Sequence, residues 1–390
     1  MLKNYVGFVF GGESAESDVS VVTALGLEKQ TRGFCEFEPM FLYVSSDLEF
    51  YAVPRDLMKV ETFKNPKVQL KKHQVFFEKG GIVRKKNSLT KTKLFVLDAV
   101  VNCTHGGYGE SGELSGFMKM LDIPFSTFSP LAMALSMNKN LFKTIMRASG
   151  ILVPNWVYFS KSDWLKNRDE LCSKIESMRF PVVVKPNSSG SSLGVVVASS
   201  MNELYDGIDV AFKFDSHVIV EKCIQNKVEF NCAVLGDTSS AVVSDIDQIE
   251  TGGKFFSFND KYIGNAGSCS ETSKNSITEQ KKNSKGMEFA PRLLPAPISD
   301  SLTQKIQHIS ADVFKVLGLS GISRVDFLYD KKKKKLYVGE INAVPGSMAL
   351  YFFRRTKLGV HGVLSKLVKI AKAEHGRKLV LDQKFIPEIF

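Results

Sequence analysis

The chain has 390 residues, 44% of them hydrophobic and 24% charged, with 29 Gly and 13 Pro, which excludes disorder, collagen and coiled coil as overall descriptions. At roughly 100–200 residues per domain this length predicts two or three domains, each able to bury its own core. The formal charge of +11 favours anionic partners in general, without separating nucleic acid from nucleotide phosphate.

The first ten residues read as a buried strand that runs directly into Gly11-Gly12. They lack the apolar h-region and small-residue cleavage site of a signal peptide, and no apolar run approaches the ~20 residues needed to cross a bilayer. The expected location is the cytoplasm. Residues 37–44 read as a second strand, and the stretch from Ser17 to Lys29 carries Val19, Val22 and Leu25 at helical spacing, so a β-α-β start is expected. From Val53 to Lys93 the pattern is weak and Lys-rich, which suggests edge strands and loops. Residues 94–102 form a continuous apolar run, as in a parallel sheet covered on both faces. That run ends in the glycine-rich turn from His105 to Gly112, and such turns at strand carboxyl ends line ligand crevices in open α/β sheets.

A helix is expected from Glu113 to Leu121, then one amphipathic helix over 131–149, stopped by Gly150 and Pro154. A strand (156–159), a helix (162–177), a strand (181–186), a Ser/Gly-rich loop (187–194) and another strand (195–198) follow. This strand-loop-strand context differs from a P-loop, and no GxxxxGK[ST] is present. Strands are expected near 218–221, 228–235 and 241–249, a helix over 301–317, and a final strand pair at 323–329 and 335–341. Residues 264–290 are polar and aperiodic, which reads as a lid or an insertion. The lysines from Lys331 to Lys335 read as a solvated hairpin tip rather than a nucleic-acid site. The six cysteines are scattered without a CxxC pair, so reduced, buried thiols are expected rather than disulfides or zinc.

Three features could carry chemistry. Lys139, Lys185, Lys261 and the 187–194 loop offer the fixed cations and close backbone N–H groups that phosphates need, although each lysine alone reads more simply as solvated. Arg324 and Asp326 lie two apart on one strand, and Glu340 and Asn342 two apart on the next, so each pair shares a strand face. Hairpin pairing would bring Asp326, Glu340 and Asn342 together as hard oxygen ligands for Mg²⁺; an equal alternative is a cross-strand charge pair between Arg324 and a carboxylate. The turn from Gly11 into the helix at Ser17 could hold an anion on its N–H groups, or use Glu16 and Asp18 to hold an amine.

In chain order the segments GGESAESDVS, THGGYGESGELSG, ALSMNK, VVVKPNSSGSSLG, VIVEK, DKY, SRVDF and EINAVPG resemble those of the D-alanine–D-alanine ligases, within the ATP-grasp superfamily, over residues 5–370. The resemblance implies an α/β, three-domain ATP-grasp fold. It comprises an N-terminal parallel-sheet substrate domain (1–126), a central subdomain (127–221) and a C-terminal α+β catalytic domain (222–390) carrying the 264–290 insertion, with ATP between the last two. It also implies ATP-dependent ligation of two D-alanines through an acyl phosphate, for peptidoglycan synthesis. The alternatives are a ligase with another acceptor, such as a different D-amino acid or D-lactate, or a degenerate nucleotide-binding protein.

By the same resemblance Lys139, Lys185 and Lys261 would contact nucleotide phosphates, and the loop with Ser192 would close over the γ-phosphate. Glu221 with Lys222 would reach adenine, and Glu229 the ribose. Asp326, Glu340 and Asn342 would bind two Mg²⁺ ions, with Mn²⁺ as a substitute. Glu16 would hold the first D-alanine's ammonium, in a network with Ser191 and Tyr262, and His105 would lie near the substrates. Arg324 and the Gly346 N–H would stabilise the oxyanion. The expected partners are ATP and D-alanine, with no nucleic acid or membrane, and a homodimer is allowed.

The chain departs from the family pattern at Ser111 and Ser115, and it carries extra residues after Tyr262. Tyr351 stands where the family has the serine that contacts the second D-alanine's carboxylate. Arg354 or Arg355 would then be expected to supply a carboxylate clamp. The alternative is that Tyr351, Phe352 and Phe353 are core packing, with Ser347 making the contact.

Overall fold

A computed structural model describes residues 4–34, 36–87, 90–127, 129–249 and 292–380. The first unit holds β1 (Tyr5–Gly11), α1 (Ser17–Gln30), β2 (Glu38–Val44), β3 (Phe50–Val53), β4 (Gln74–Glu78), β5 (Gly81–Asn87) and β6 (Thr90–Asn102). β1 lies between β2 and β6, parallel to both, as the apolar runs predict. The sheet does not stop at that parallel core. β3, β4 and β5 continue it in antiparallel pairs back to β6, closing a six-stranded barrel. Sequence reading missed this closure because the buried anchors Val75 and Ile82 sit in short strands among polar residues, too briefly to show a period. At the carboxyl end of β1 the Gly11 N–H donates to Ser20 Oγ (2.7 Å), whose hydroxyl donates to the Cys103 carbonyl (2.8 Å), so the turn into α1 is fastened to the end of β6.

α2 (Glu113–Met120), α3 (Pro130–Met137) and α4 (Lys139–Ala148) follow. The single helix expected over 131–149 is two, because Asn138 leaves the helical region (ψ 101°) and its side chain accepts from the Leu141 N–H (3.0 Å), capping α4. The second sheet contains β7 (Trp156–Ser160), β8 (Val182–Pro186), β9 (Val196–Ala198) and β10 (His217–Lys222) in the order β7-β10-β8-β9. It is covered by α5 (Arg168–Ser177) and α6 (Met201–Ala211), which share a core with it. The helix expected over 162–177 also breaks in two, at Asn167.

The third sheet is β11 (Lys227–Gly236), β12 (Ala241–Ile249), β13 (Arg292–Leu293), β14 (Gly321–Asp330) and β15 (Lys335–Asn342), antiparallel in the order β13-β12-β11-β14-β15. α7 (Asp300–Val316) and α8 (Gly359–Val380) complete the described chain. Strand periodicity divides this sheet cleanly. Phe230, Cys232, Val325 and Phe327 enter a core with Met133 and Phe142 of α3 and α4 and Phe314 of α7. The intervening Glu229, Asn231 and Asp326 belong to the opposite face, which borders the cavity described below. α8 packs Val363, Leu364 and Leu367 into the barrel's core, tying the last helix to the first unit. Lys331 to Lys335 are exposed at the β14–β15 turn, the solvated tip that their charge predicts.

Phe314 is fully buried in the core shared by the third sheet and its helices. Phe314→Ala is expected to lower the unfolding free energy by about 3–5 kcal/mol, against within about 0.5 kcal/mol for Lys333→Ala at the exposed tip. Urea titration of both variants checks this, and equal midpoints would refute the placement of the core.

Candidate active site

A cavity of about 800 Å³ opens between the second sheet and the polar face of the third, within the size range of small-molecule sites. From one side it is lined by Lys139, Lys185, Glu221 and Lys222, with Ser189 and Ser192 of the loop between β8 and β9. From the other it is lined by Glu229, Asn231, Arg292, Arg324, Asp326 and Glu340. The structure thus brings together, around one space, the residues that the resemblance assigned to nucleotide and metal, apart from Asn342, which adjoins Asp326, and Lys261.

The first side is organised by a buried carboxylate. Glu221, 2% exposed, holds Lys185 Nζ on Oε2 (2.9 Å) and Lys143 Nζ on Oε1 (3.2 Å). Burial alone would raise the Glu221 pKa, but the two ammonium groups outweigh it and hold the carboxyl down at about 2. Burial lowers the pKa of Lys143 despite Glu221. For Lys185 burial also acts downward, yet Glu221, Glu340 and Glu229 prevail and the pKa rises, so this residue stays cationic. Lys139, one helical turn before Lys143, has its pKa lowered by burial and donates from Nζ to the Ser189 carbonyl (2.5 Å), pinning the loop. Lys143 was missed from sequence. The available signal was its i,i+4 spacing from Lys139, which puts both on one helix face.

The second side is a polar row across β14 and β15. Arg324 grips Asp326 with two bonds, Nε to Oδ1 and Nη2 to Oδ2, each 2.7 Å, and Asn342 Nδ2 donates to Asp326 Oδ2 (2.9 Å). Arg324 faces Asn342 and Asp326 faces Glu340 across the hairpin. The charge pair weighed from sequence therefore exists, along the strand rather than across it. Among the described residues no three His, Cys, Asp or Glu side chains gather into a metal cage. The donors nevertheless fit Mg²⁺, which is commonly held by one or two carboxylates and completed by substrate phosphates. Asp326 and Glu340 are hard oxygen donors, paired across the hairpin and lining the same cavity.

Other expected residues meet at the edge of this space. Glu16, 8% exposed at the start of α1, accepts a hydrogen bond from Ser191 Oγ, joining the first unit to the β8–β9 loop. A Cβ at Gly106 or Gly190 would lie 2.8 or 2.9 Å from Glu16 Oε2, so a side chain there would displace the tip of Glu16, and Gly106 also has a left-handed φ of 67° that favours glycine. Buried His105 lies beside this point, its Nε2 3.0 Å from Thr23 Oγ1 and its Nδ1 3.6 Å from Glu110 Oε1. Gly346 is buried at the head of a turn in which Ser347, Met348 and Ala349 all have φ near 50°. Left-handed non-glycine residues of this kind cost about 1–3 kcal/mol each and collect at functional sites. Tyr351 is 5% exposed and packs in the core against Phe352, with ring centroids 4.6 Å apart, and it is not among the cavity-lining residues. Arg354 and Arg355 are exposed, and Arg355 Nη1 donates to the Leu294 carbonyl, so the structure does not bring the expected clamp to the cavity. Lys261, Tyr262 and the 264–290 segment lie outside the described residues.

Glu221→Gln would remove the carboxylate that both buried ammonium groups contact and is expected to cost about 3–5 kcal/mol at pH 7. A carboxyl whose folded pKa is depressed contributes stability that is present above its unfolded pKa and lost as pH falls through the folded value. The Glu221 contribution should therefore fade between about pH 5 and pH 2. Urea titrations of wild type and variant at pH 7 and pH 3 should show the stability gap shrinking at the lower pH. A gap of equal size at both values would contradict the pairing.

Comparison with known proteins bears on all of these residues. Residues 5–127 match the family described as D-ala D-ala ligase N-terminus, and residues 145–287 and 274–369 the family described as D-ala D-ala ligase C-terminus. The D-alanine--D-alanine ligase of Thermosipho africanus is 30% identical over 371 residues, covering 94% of this chain and 92% of that relative. The D-alanine--D-alanine ligase of Natranaerobius thermophilus is 28% identical, with 97% of each covered. Among solved structures, the VanG D-Ala:D-Ser ligase from Enterococcus faecalis superposes with a TM-score of 0.75 at 25% identity, over 95% of this chain and 99% of that one. The D-alanine-D-alanine ligase from Helicobacter pylori superposes with a TM-score of 0.69 at 26% identity, over 94% and 98%. With both halves matched over nearly their whole length and the cavity formed where the motifs converge, the chain has the ATP-grasp fold and belongs to the D-alanine–D-alanine ligase family.

Proposed function

We propose that the protein is an ADP-forming ligase that joins two D-alanines into D-alanyl-D-alanine for peptidoglycan synthesis. The observation that carries the reading is the cavity itself, with lysines and a Ser/Gly loop on one side and a carboxylate hairpin beside an arginine on the other. Lys139 and Lys185 would bind the phosphates of ATP, Glu221 with Lys222 the adenine, and Glu229 the ribose. The first D-alanine's ammonium would sit on Glu16, within the network that includes Ser191, with His105 beside it.

A carboxylate is a poor electrophile, so the first D-alanine is activated as its acyl phosphate, and the second amino acid's amine then attacks that carbonyl and expels phosphate. Lysines fixed in a poorly solvated cavity stabilise the migrating charge without having to reorganise, and positioning of this kind supplies most of the acceleration in phosphoryl transfer. Arg324 and the Gly346 N–H would face the oxyanion of the tetrahedral intermediate. The loop pinned by Lys139 and Glu16 would exclude water, which otherwise hydrolyses an acyl phosphate. Asp326, Glu340 and Asn342 would hold two Mg²⁺ ions, with Mn²⁺ as a substitute, whose charge neutralises the phosphate oxygens when bound.

The test is phosphate release from ATP across a panel of D- and L-amino acids, with release expected on D-alanine. A panel in which no D-amino acid stimulates release would overturn the assignment. Within an active protein, Glu340→Gln is expected to lower turnover at least about 100-fold through loss of ligand charge. The fold should persist, because Glu340 lines the cavity rather than a core. Unchanged turnover at limiting Mg²⁺ would refute its role as a ligand.

A further inference from the structure

We infer that Arg292, held by the buried Asp247 and seated on the Tyr351 ring, receives the carboxylate of the acceptor amino acid. The inference rests on the ligase reading above and names the residue that recognises the second substrate. Arg292 lines the cavity on β13, the edge strand at the opposite end of the sheet from β15 with Glu340 and Asn342. Its Nη1 lies 2.9 Å from Asp247 Oδ2, and its guanidinium stands 4.5 Å from the centroid of the Tyr351 ring. Asp247 is 0% exposed. A carboxylate buried in a sheet is costly unless paired, and its effect here is to fix one planar donor fork in one orientation.

Charge placement identifies the anion. The phosphate-side cations Lys139, Lys185 and Lys222 line the other wall of the cavity, and Arg324 is engaged by both oxygens of Asp326. An acceptor that attacks through its amine keeps its own carboxylate charged throughout. That carboxylate must sit on a cation and away from the site where phosphate charge develops. Arg292 supplies a cation on the third sheet's side of the cavity, across from the lysines. Arg354 and Arg355, the clamp expected from sequence, are exposed away from the cavity.

Tyr351 acts as a platform. The Arg292 guanidinium lies against the face of the Tyr351 ring, which helps to hold it. The bulk that replaces the family's serine thereby becomes intelligible. The aromatic ring and the Arg292–Asp247 pair form one unit, in which a charged fork does the work of a short hydroxyl.

The test is acceptor competition. With ATP and D-alanine as donor, D-alanine and D-alaninamide compete as acceptors, and the ratio of dipeptide to dipeptide amide is read by mass spectrometry. The amide lacks a carboxylate, so it cannot be a donor, and the ratio reports acceptor choice alone. Wild type should favour the dipeptide. Arg292→Met should shift the ratio at least about tenfold toward the amide and raise the acceptor KM more than it lowers kcat, as expected for loss of a charged hydrogen bond. Asp247→Asn should shift it the same way by less. Arg292→Lys, which keeps the charge but not the fork, should lie in between and serves if the methionine variant does not fold. An unchanged ratio in the Arg292 variants, with dipeptide still formed, overturns the inference and leaves the ligase reading intact. A wild type that forms neither product overturns both.

Discussion

Everything at the cavity's phosphate side depends on one carboxylate being ionised where almost no water reaches it. Glu221 can remain charged at 2% exposure only because Lys143 and Lys185 flank it, and each lysine comes from a different element. The triad therefore fixes α4 and β8 against β10. Buried ion pairs of this kind are poor sources of net stability, since desolvation offsets most of the attraction, but breaking one is severe. The benefit lies in position. With Lys143 committed to Glu221, Lys139 one turn away is held at the cavity rim, where it reaches the Ser189 carbonyl.

The opposite wall follows from the two-residue period of the strands. Along β11 and β14 the apolar residues fill the core beneath, so Asn231, Arg324 and Asp326 are left facing the cavity. Asp326 lies opposite Asn231 on one side and Glu340 on the other, and Asp247 lies opposite Asn231, so one lateral row of an antiparallel sheet carries the polar chemistry. A register slip of one residue would bury this row and expose the core, which makes the site's geometry inseparable from the packing of the apolar face.

That coupling explains what could be read from sequence. Spacing of two on adjacent strands was enough to place Arg324, Asp326, Glu340 and Asn342 together, because strand geometry converts such spacing directly into proximity. The apolar runs of β1, β6 and β14 were legible for the same reason. Lys143 and Arg292 were not, since each gains its meaning from a partner far along the chain, Glu221 and Asp247 respectively, and a lone cation in a sequence reads as solvated. The breaks at Asn138 and Asn167 were missed because apolar periodicity runs through them, and only at Asn138 does side-chain capping mark the boundary. Barrel closure through β3, β4 and β5 was hidden by strands too short to show alternation.

The three units differ in the charge they bring, and this sets how the site must be assembled. The barrel unit supplies an anion, Glu16; the second sheet supplies Lys185 and the Ser/Gly loop; the third supplies the carboxylate hairpin and two arginines. Under the ligase reading, an ammonium, a chain of phosphates and a carboxylate must be bound at once, and no single unit could present all three complements without neutralising itself. The hydrogen bond from Ser191 to Glu16 is the joint between the first two units. It is placed where Gly106 and Gly190 leave room for the tip of Glu16, and where Ser191 and Ser192 adopt left-handed backbone. Strain at that joint is tolerable because Lys139 holds the same loop from the other side. The loop therefore serves as a shared wall: it touches the residue proposed for the donor's ammonium and the lysine proposed for phosphate, so closing it brings together the two groups that the first chemical step must join.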